Sequence, residues 1–299
     1  INGTVDQTLT GGGTANQGRL PKININKASG TLYLVSVITV VGSSWTYTQG
    51  TIDAGTSTVV FIGLGSSARD IIGSHTLYNV EFISATNGTE TISSGTTLTV
   101  NGTLTISGSS NGYNISVGDI NAKGNITITN TGTGGGTATL TINGTLDQTL
   151  TGSGTAGTGN LPRVVINKIS GTLNLVSTIS VGGSVWTYTA GTIDAGSSTV
   201  YFTNASRTIT GSHTLKNVTF VGGTITISSG TILTTNGTLA LATGGQIFLN
   251  TGDIYAKGDI TTTNVSSGGG SATITINGTV DQTLTGSGTA GAGNLPRVV

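Results

Sequence analysis

One ten-residue string occurs three times in the 299 residues, with a single exchange of Val for Leu in the middle copy. Ile1-Asn-Gly-Thr-Val-Asp-Gln-Thr-Leu-Thr10 returns as Ile142-Asn-Gly-Thr-Leu-Asp-Gln-Thr-Leu-Thr151 and again as Ile276-Asn-Gly-Thr-Val-Asp-Gln-Thr-Leu-Thr285. Like sequences need like surroundings, so such a chain must stack one unit on the next. Residues 142–165 and 276–299 differ only at Leu146/Val280 and Thr158/Ala292. Trp45 maps to Trp186, His75 to His213 and Asp119 to Asp253, with offsets shrinking from 141 through 138 to 134. The shortening therefore lies in small deletions between matched segments. Two tandem repeats of about 134–141 residues follow, at 1–141 and 142–275, with the start of a third at 276–299.

Within each repeat, short runs alternate Thr with Leu, Ile or Val: Thr97-Leu-Thr-Val100, Thr103-Leu-Thr-Ile106, Thr139-Leu-Thr-Ile142, Thr224-Ile-Thr-Ile227. A period of two marks a strand with one buried face. Asn-Gly and Gly-Gly pairs separate the runs, and the 50 glycines against 3 prolines suit frequent turns. With 34% hydrophobic residues and no net charge, the chain has enough apolar surface to fold. The expected class is all-β.

Sandwich modules and solenoids both accommodate such strands. Sandwich arrays carry linkers, whereas here the alternation runs through the repeat boundaries, as in Ala138-Thr-Leu-Thr-Ile142 and Ala272-Thr-Ile-Thr-Ile276. The reading is a right-handed parallel β-helix, one continuous rod, since parallel crossovers are almost always right-handed. Coils of ~20 residues would give about seven coils per repeat and about fifteen in the chain. Ile106, Leu140, Ile142, Leu175, Val181, Ile227, Leu241 and Ile276 are expected in the core, with Thr and Asn outside.

Eleven basic and eleven acidic residues balance, without runs of either sign, so neither nucleic acid nor an anionic membrane surface is an expected partner. No apolar stretch is long enough for a membrane-spanning helix, and the absence of cysteine removes disulfides and thiol chemistry. Parallel β-helices also serve polysaccharide-active enzymes, which need clustered carboxylates. Glu81 and Glu90 are the only glutamates, and the second copy carries Thr219 and Thr224 at roughly their places. Asp6, Asp147 and Asp281, Asp53 and Asp194, and Asp119 and Asp253 fall singly beside turns. His75 and His213, one per copy, have no second ligand nearby in sequence. The acidic nonapeptides of calcium-binding solenoids are missing, and Gly11-Gly-Gly13, Gly134-Gly-Gly136 and Gly268-Gly-Gly270 lack the lysine of a phosphate loop. No catalytic residue, metal ligand or cofactor is expected.

Trp45 and Tyr47, like Trp186 and Tyr188, are two apart and share one face of a strand. Turned inward they fill a wide coil; turned outward they would stack on sugars. The core reading is preferred, and carbohydrate contact is the alternative. Asn-x-Ser/Thr sequons stand at Asn2, Asn101, Asn143, Asn236 and Asn277, and also at Asn87, Asn114, Asn125, Asn204, Asn217 and Asn264. They are candidate glycosylation sites, although a Thr-rich strand entered through Asn-Gly produces the same triplet.

The patterns Asn-Gly-Thr-Leu-Thr-Ile, Gly-Thr-Ile-Asp-Ala-Gly and Thr-Ile-Thr-Gly-Ser-His-Thr-Leu-Lys-Asn-Val-Thr-Phe, spread over nearly the whole chain, resemble the repeat regions of very large secreted bacterial surface proteins. These are the adhesin and filament type common in Bacteroidetes. The resemblance implies an extracellular or cell-surface rod that acts as stalk or spacer. Neither Ile1-Asn-Gly-Thr nor Pro296-Arg-Val-Val299 reads as a cap, so further copies of the repeat are the expected partners, joined covalently or end to end, with surface glycans as a second class. Thr-x-Thr pairs at Thr46/Thr48, Thr103/Thr105, Thr127/Thr129, Thr187/Thr189, Thr208/Thr210 and Thr224/Thr226 keep an ice-binding solenoid as the alternative function, beside a carbohydrate-binding one, with a polysaccharide-active enzyme behind both.

Overall fold

The computed structural model describes residues 1–63, 68–84, 88–108, 112–203 and 206–299. The sequons at Asn87 and Asn204 lie outside the described residues. Among the described residues, twenty-six strands form one continuous sheet, and every strand pairing is parallel. Their stacking makes a β-solenoid of about 13 turns. No helix among the described residues is long and apolar enough to cross a membrane.

Alternation is what winds the chain. In Asn217–Thr235, Val218, Phe220, Ile225, Ile227 and Leu233 are buried while Thr219, Thr224, Thr226 and Thr234, which alternate with them, stay partly exposed; Thr231, beside the Gly230 turn, is buried. Each coil spends its strand residues on three faces. Thr178–Val181 pairs one coil on with Thr199–Phe202, and the intervening Val185–Asp194 covers the other two, turning at Gly191 (φ +116°). Register steps vary from 18 residues (Thr199 to Asn217) to 26 (Ser44 to Asp70). A mean coil longer than the ~20 residues expected explains why the chain makes about 13 turns and not fifteen.

Inside, like residues form columns. Ile38, Val59, Val80, Leu104, Ile126, Leu150 and Leu175 are successive register partners, none more than 2% exposed. Full burial of each such side chain stabilises the fold by about 1.5–3 kcal/mol. Outside, Thr105, Thr127 and Thr151 stack likewise. Seven of the eight expected core residues are buried. Ile276 is not: at 37% exposure it lacks the cover that its counterpart Ile142 receives from Ile166 one coil later.

The columns also show how the repeats are phased. Ile179, Val200, Val218, Leu239, Ile260 and Leu284 form a second column, the copy of Ile38 through Leu150. Yet the first column, after six coils, runs into Leu175, the counterpart of Leu34, and Ile179 lies one strand further along. One repeat is therefore six coils plus one face. Equivalent surfaces of successive copies are turned by a third of a revolution about the solenoid axis. Pairing passes through both repeat boundaries, with Ala122 opposite Ile142 and Ala256 opposite Ile276.

Candidate functional site

The aromatic residues singled out from the sequence divide. Trp45 and Trp186 are 1% exposed and present no face to a ligand. Their indole Nε1–H donates to Nε2 of His75 and of His213, each at 3.0 Å, and the other imidazole nitrogen lies 2.7 Å from the carbonyl of Gly73 or Gly211. Accepting at Nε2 and donating at Nδ1 makes both imidazoles neutral, and burial lowers both pKa values. Tyr47 and Tyr188 are half-buried, stack on these imidazoles at 5.3 and 5.4 Å, and donate their hydroxyls to Gly50 and Gly191. The histidines thus tie neighbouring coils together, a role that spacing along the chain does not reveal.

Two further polar clusters are buried. Lys27 and Lys168 are 1% exposed, although nothing in the Ile-Asn-Lys motif marks them as inward. Lys168 Nζ donates to the carbonyls of Gly144 and Leu146 and to Gln148 Oε1, while Gln148 Nε2 donates to Ala122 and Gly124 on the previous coil. Lys27 repeats the lysine contacts with Gly3, Val5 and Gln7. Burial lowers the Lys168 pKa, with Asp147 opposing. These groups clamp the corner where the recurring Asp-Gln-Thr turn leaves the strand.

In the first copy Arg69 is ion-paired with the fully buried Glu90, its register partner, and donates to the Ile62 carbonyl. Burial outweighs the neighbouring guanidinium and raises the Glu90 pKa to about 7. In the second copy the register partner of Arg207 is Ile225, not the Thr224 suggested by alignment of the sequence. Arg207 instead donates to the carbonyl and hydroxyl of Thr203 and to the Gly183 carbonyl, and burial lowers its pKa to about 10. An arginine common to both repeats thus has two different sets of acceptors. It is a structural cluster.

A concavity on the outer surface recurs in both copies. In the first copy a groove of about 480 Å³ crosses successive coils and is lined by Tyr33, Asp53, Tyr78, Asn101 and neighbouring threonines. Tyr33 and Asp53 are register partners, Tyr78 lies on the next coil, and Gly102, beside Asn101, donates its N–H to the Tyr78 carbonyl one coil further. Both tyrosines are 37% exposed. Asp53 accepts the Gly55 N–H at 2.9 Å, the turn role expected of it, and this bond orients the carboxylate. The second copy keeps the groove at about 330 Å³ with Asp194 and Asn236. There Lys216 replaces Tyr78, and Asn174 stands at the position of Tyr33. The tyrosines escaped the sequence reading because neither recurs.

The sequons separate by accessibility. Asn2, Asn101, Asn236 and Asn277 are exposed, whereas Asn143 is half-buried with its Oδ1 enclosed. Asn125 and Asn217 accept backbone N–H groups of the next coil, and Asn264 is 2% exposed. Asp6 and Asp147 accept N–H groups of Thr31 and Thr172 one coil away. Among the described residues, no three His, Asp or Glu side chains come together as metal ligands would. No protein-family model, curated protein or solved structure matches the chain.

Proposed function

We propose that this chain is a section of an extracellular rod, a stalk or filament of the bacterial surface type, whose work is done by length and stiffness. The observation that carries this reading is the unbroken parallel ladder through both repeat boundaries, phased at six coils and one face per repeat. Such a joint has no hinge, since each coil is hydrogen-bonded along its strands to the next. The buried polar residues support it too. His75, Lys27, Arg69 and their counterparts are spent on holding coils together, and Asp53, Asp194, Asp6 and Asp147 on turns and corners.

Ice recognition would require the Thr-x-Thr pairs in one flat file. They divide among three faces: Thr46 on one, Thr105 and Thr127 on a second, and Thr187, Thr208, Thr210 and Thr226 on a third. Even there, Thr187 aligns with Thr210 while Thr208 aligns with Thr226. The rod reading is tested on intact cells that produce the protein, with antibodies raised against residues 142–275. Labelling of filaments or of the outer cell surface is expected, and label confined to permeabilised cells would overturn it.

A further inference from the structure

The groove of the first copy has the chemistry of a saccharide subsite, and we propose that it binds a neutral oligosaccharide. Tyr33 and Tyr78 stand two coils apart, roughly 10 Å along the axis at the usual spacing of hydrogen-bonded strands. That is the span of two pyranose rings in a chain. A pyranose presents one face of C–H bonds and a rim of hydroxyls, so it is held by an aromatic surface together with fixed polar groups. Both rings are exposed, and between them Asp53, already oriented by Gly55, can accept two sugar hydroxyls. Asn101 at the far end both donates and accepts.

Charge narrows the ligand. Among the described residues of the lining, Asp53 is the one acidic side chain, and no lysine or arginine joins it. Uronic or sulfated polymers would meet an unpaired carboxylate and are disfavoured. The second copy supplies an internal control. It retains the carboxylate and the asparagine but has Lys216 and Asn174 where the first has tyrosines, in a smaller groove. Of the two equivalent grooves, the first alone is therefore competent. This inference does not depend on where the rod is displayed.

The test is calorimetric titration of the intact 299-residue chain with cellohexaose, chitohexaose and maltohexaose at millimolar concentration. Binding of at least one of them at one site per chain is expected. The double variant Tyr33→Ala/Tyr78→Ala should weaken that binding roughly tenfold or more while keeping a cooperative melt, because neither ring belongs to the buried core. The converse variant Asn174→Tyr/Lys216→Tyr should raise the stoichiometry from one to two. Absence of binding to all three sugars, or binding undiminished without the two tyrosines, overturns the proposal. A stoichiometry that stays at one in the converse variant overturns the assignment of the tyrosines as its determinants.

Discussion

The buried arginines compare two solutions to one problem. Arg69 and Arg207 donate to equivalent carbonyls, Ile62 and Thr203, but one guanidinium is balanced by Glu90 and the other relies on the Thr203 hydroxyl. Removing one member of a buried ion pair costs about 3–5 kcal/mol. Glu90→Ile, which imitates Ile225, should therefore lower stability by about that amount, and Ile62→Thr added to it should restore about 1 kcal/mol by returning an acceptor. Thermal melts of the two variants check this; a double variant no more stable than Glu90→Ile would show that the hydroxyl does not substitute.

The histidines set a pH dependence whose sign is determined. Their folded pKa values lie below the ordinary 6.5, so the unfolded chain binds more protons and their contribution is complete above about 6.5. It is lost as pH falls below that value, when a proton on Nε2 would displace the tryptophan N–H. Glu90 acts in the opposite sense, with a contribution complete below its ordinary 4.5 and lost as pH rises through about 7. A Glu90→Gln protein should thus lose melting temperature from pH 7 to 5.5, and His75→Gln/His213→Gln in that background should flatten the curve. A slope that persists without the histidines would refute the assignment.

At the scale of the strand and its corner, glycine decides where the chain turns. Gly73 and Gly211 have φ +84°, and a Cβ at either would lie 1.8 Å from the carbonyl oxygen of Tyr47 or Tyr188 on the adjoining coil. Gly230 has φ +75° with nothing within 4 Å of an added Cβ. Gly211→Ala should therefore unseat the coil, costing about 3 kcal/mol or more. Gly230→Asn should cost under about 1 kcal/mol, because asparagine tolerates the left-handed region. Denaturant unfolding of the two variants measures the contrast, and equal losses would show that crowding by the neighbouring coil is not the constraint.

For the whole molecule, the phase of the repeat governs growth. Insertion of a further copy of residues 142–275 after residue 275 should lengthen the particle by roughly 30 Å, six coils and a third at ~4.8 Å each. It should also carry the groove onto the next face. Small-angle scattering of the extended chain reads the length. A jointed particle, or one that grows in girth rather than length, would contradict continuous stacking.

The sequence alone determined the class of fold and its tandem organisation, because period-two alternation and near-identical repeats constrain each residue through its own neighbours. Seven of the eight core positions named from alternation are buried for that reason. What faces what is decided by register, and register depends on loops of unequal length that no local pattern counts. That is why the number of turns, the partner of Arg207 and the third-of-a-turn phase between copies came only from the tertiary structure. The same holds for the inward lysines, whose charge reads as surface until three carbonyl and amide oxygens from the previous coil converge on each ammonium. The groove residues Tyr33, Asp53, Tyr78 and Asn101 lie up to 68 positions apart in the chain and meet only because parallel coils place them on consecutive levels of one face.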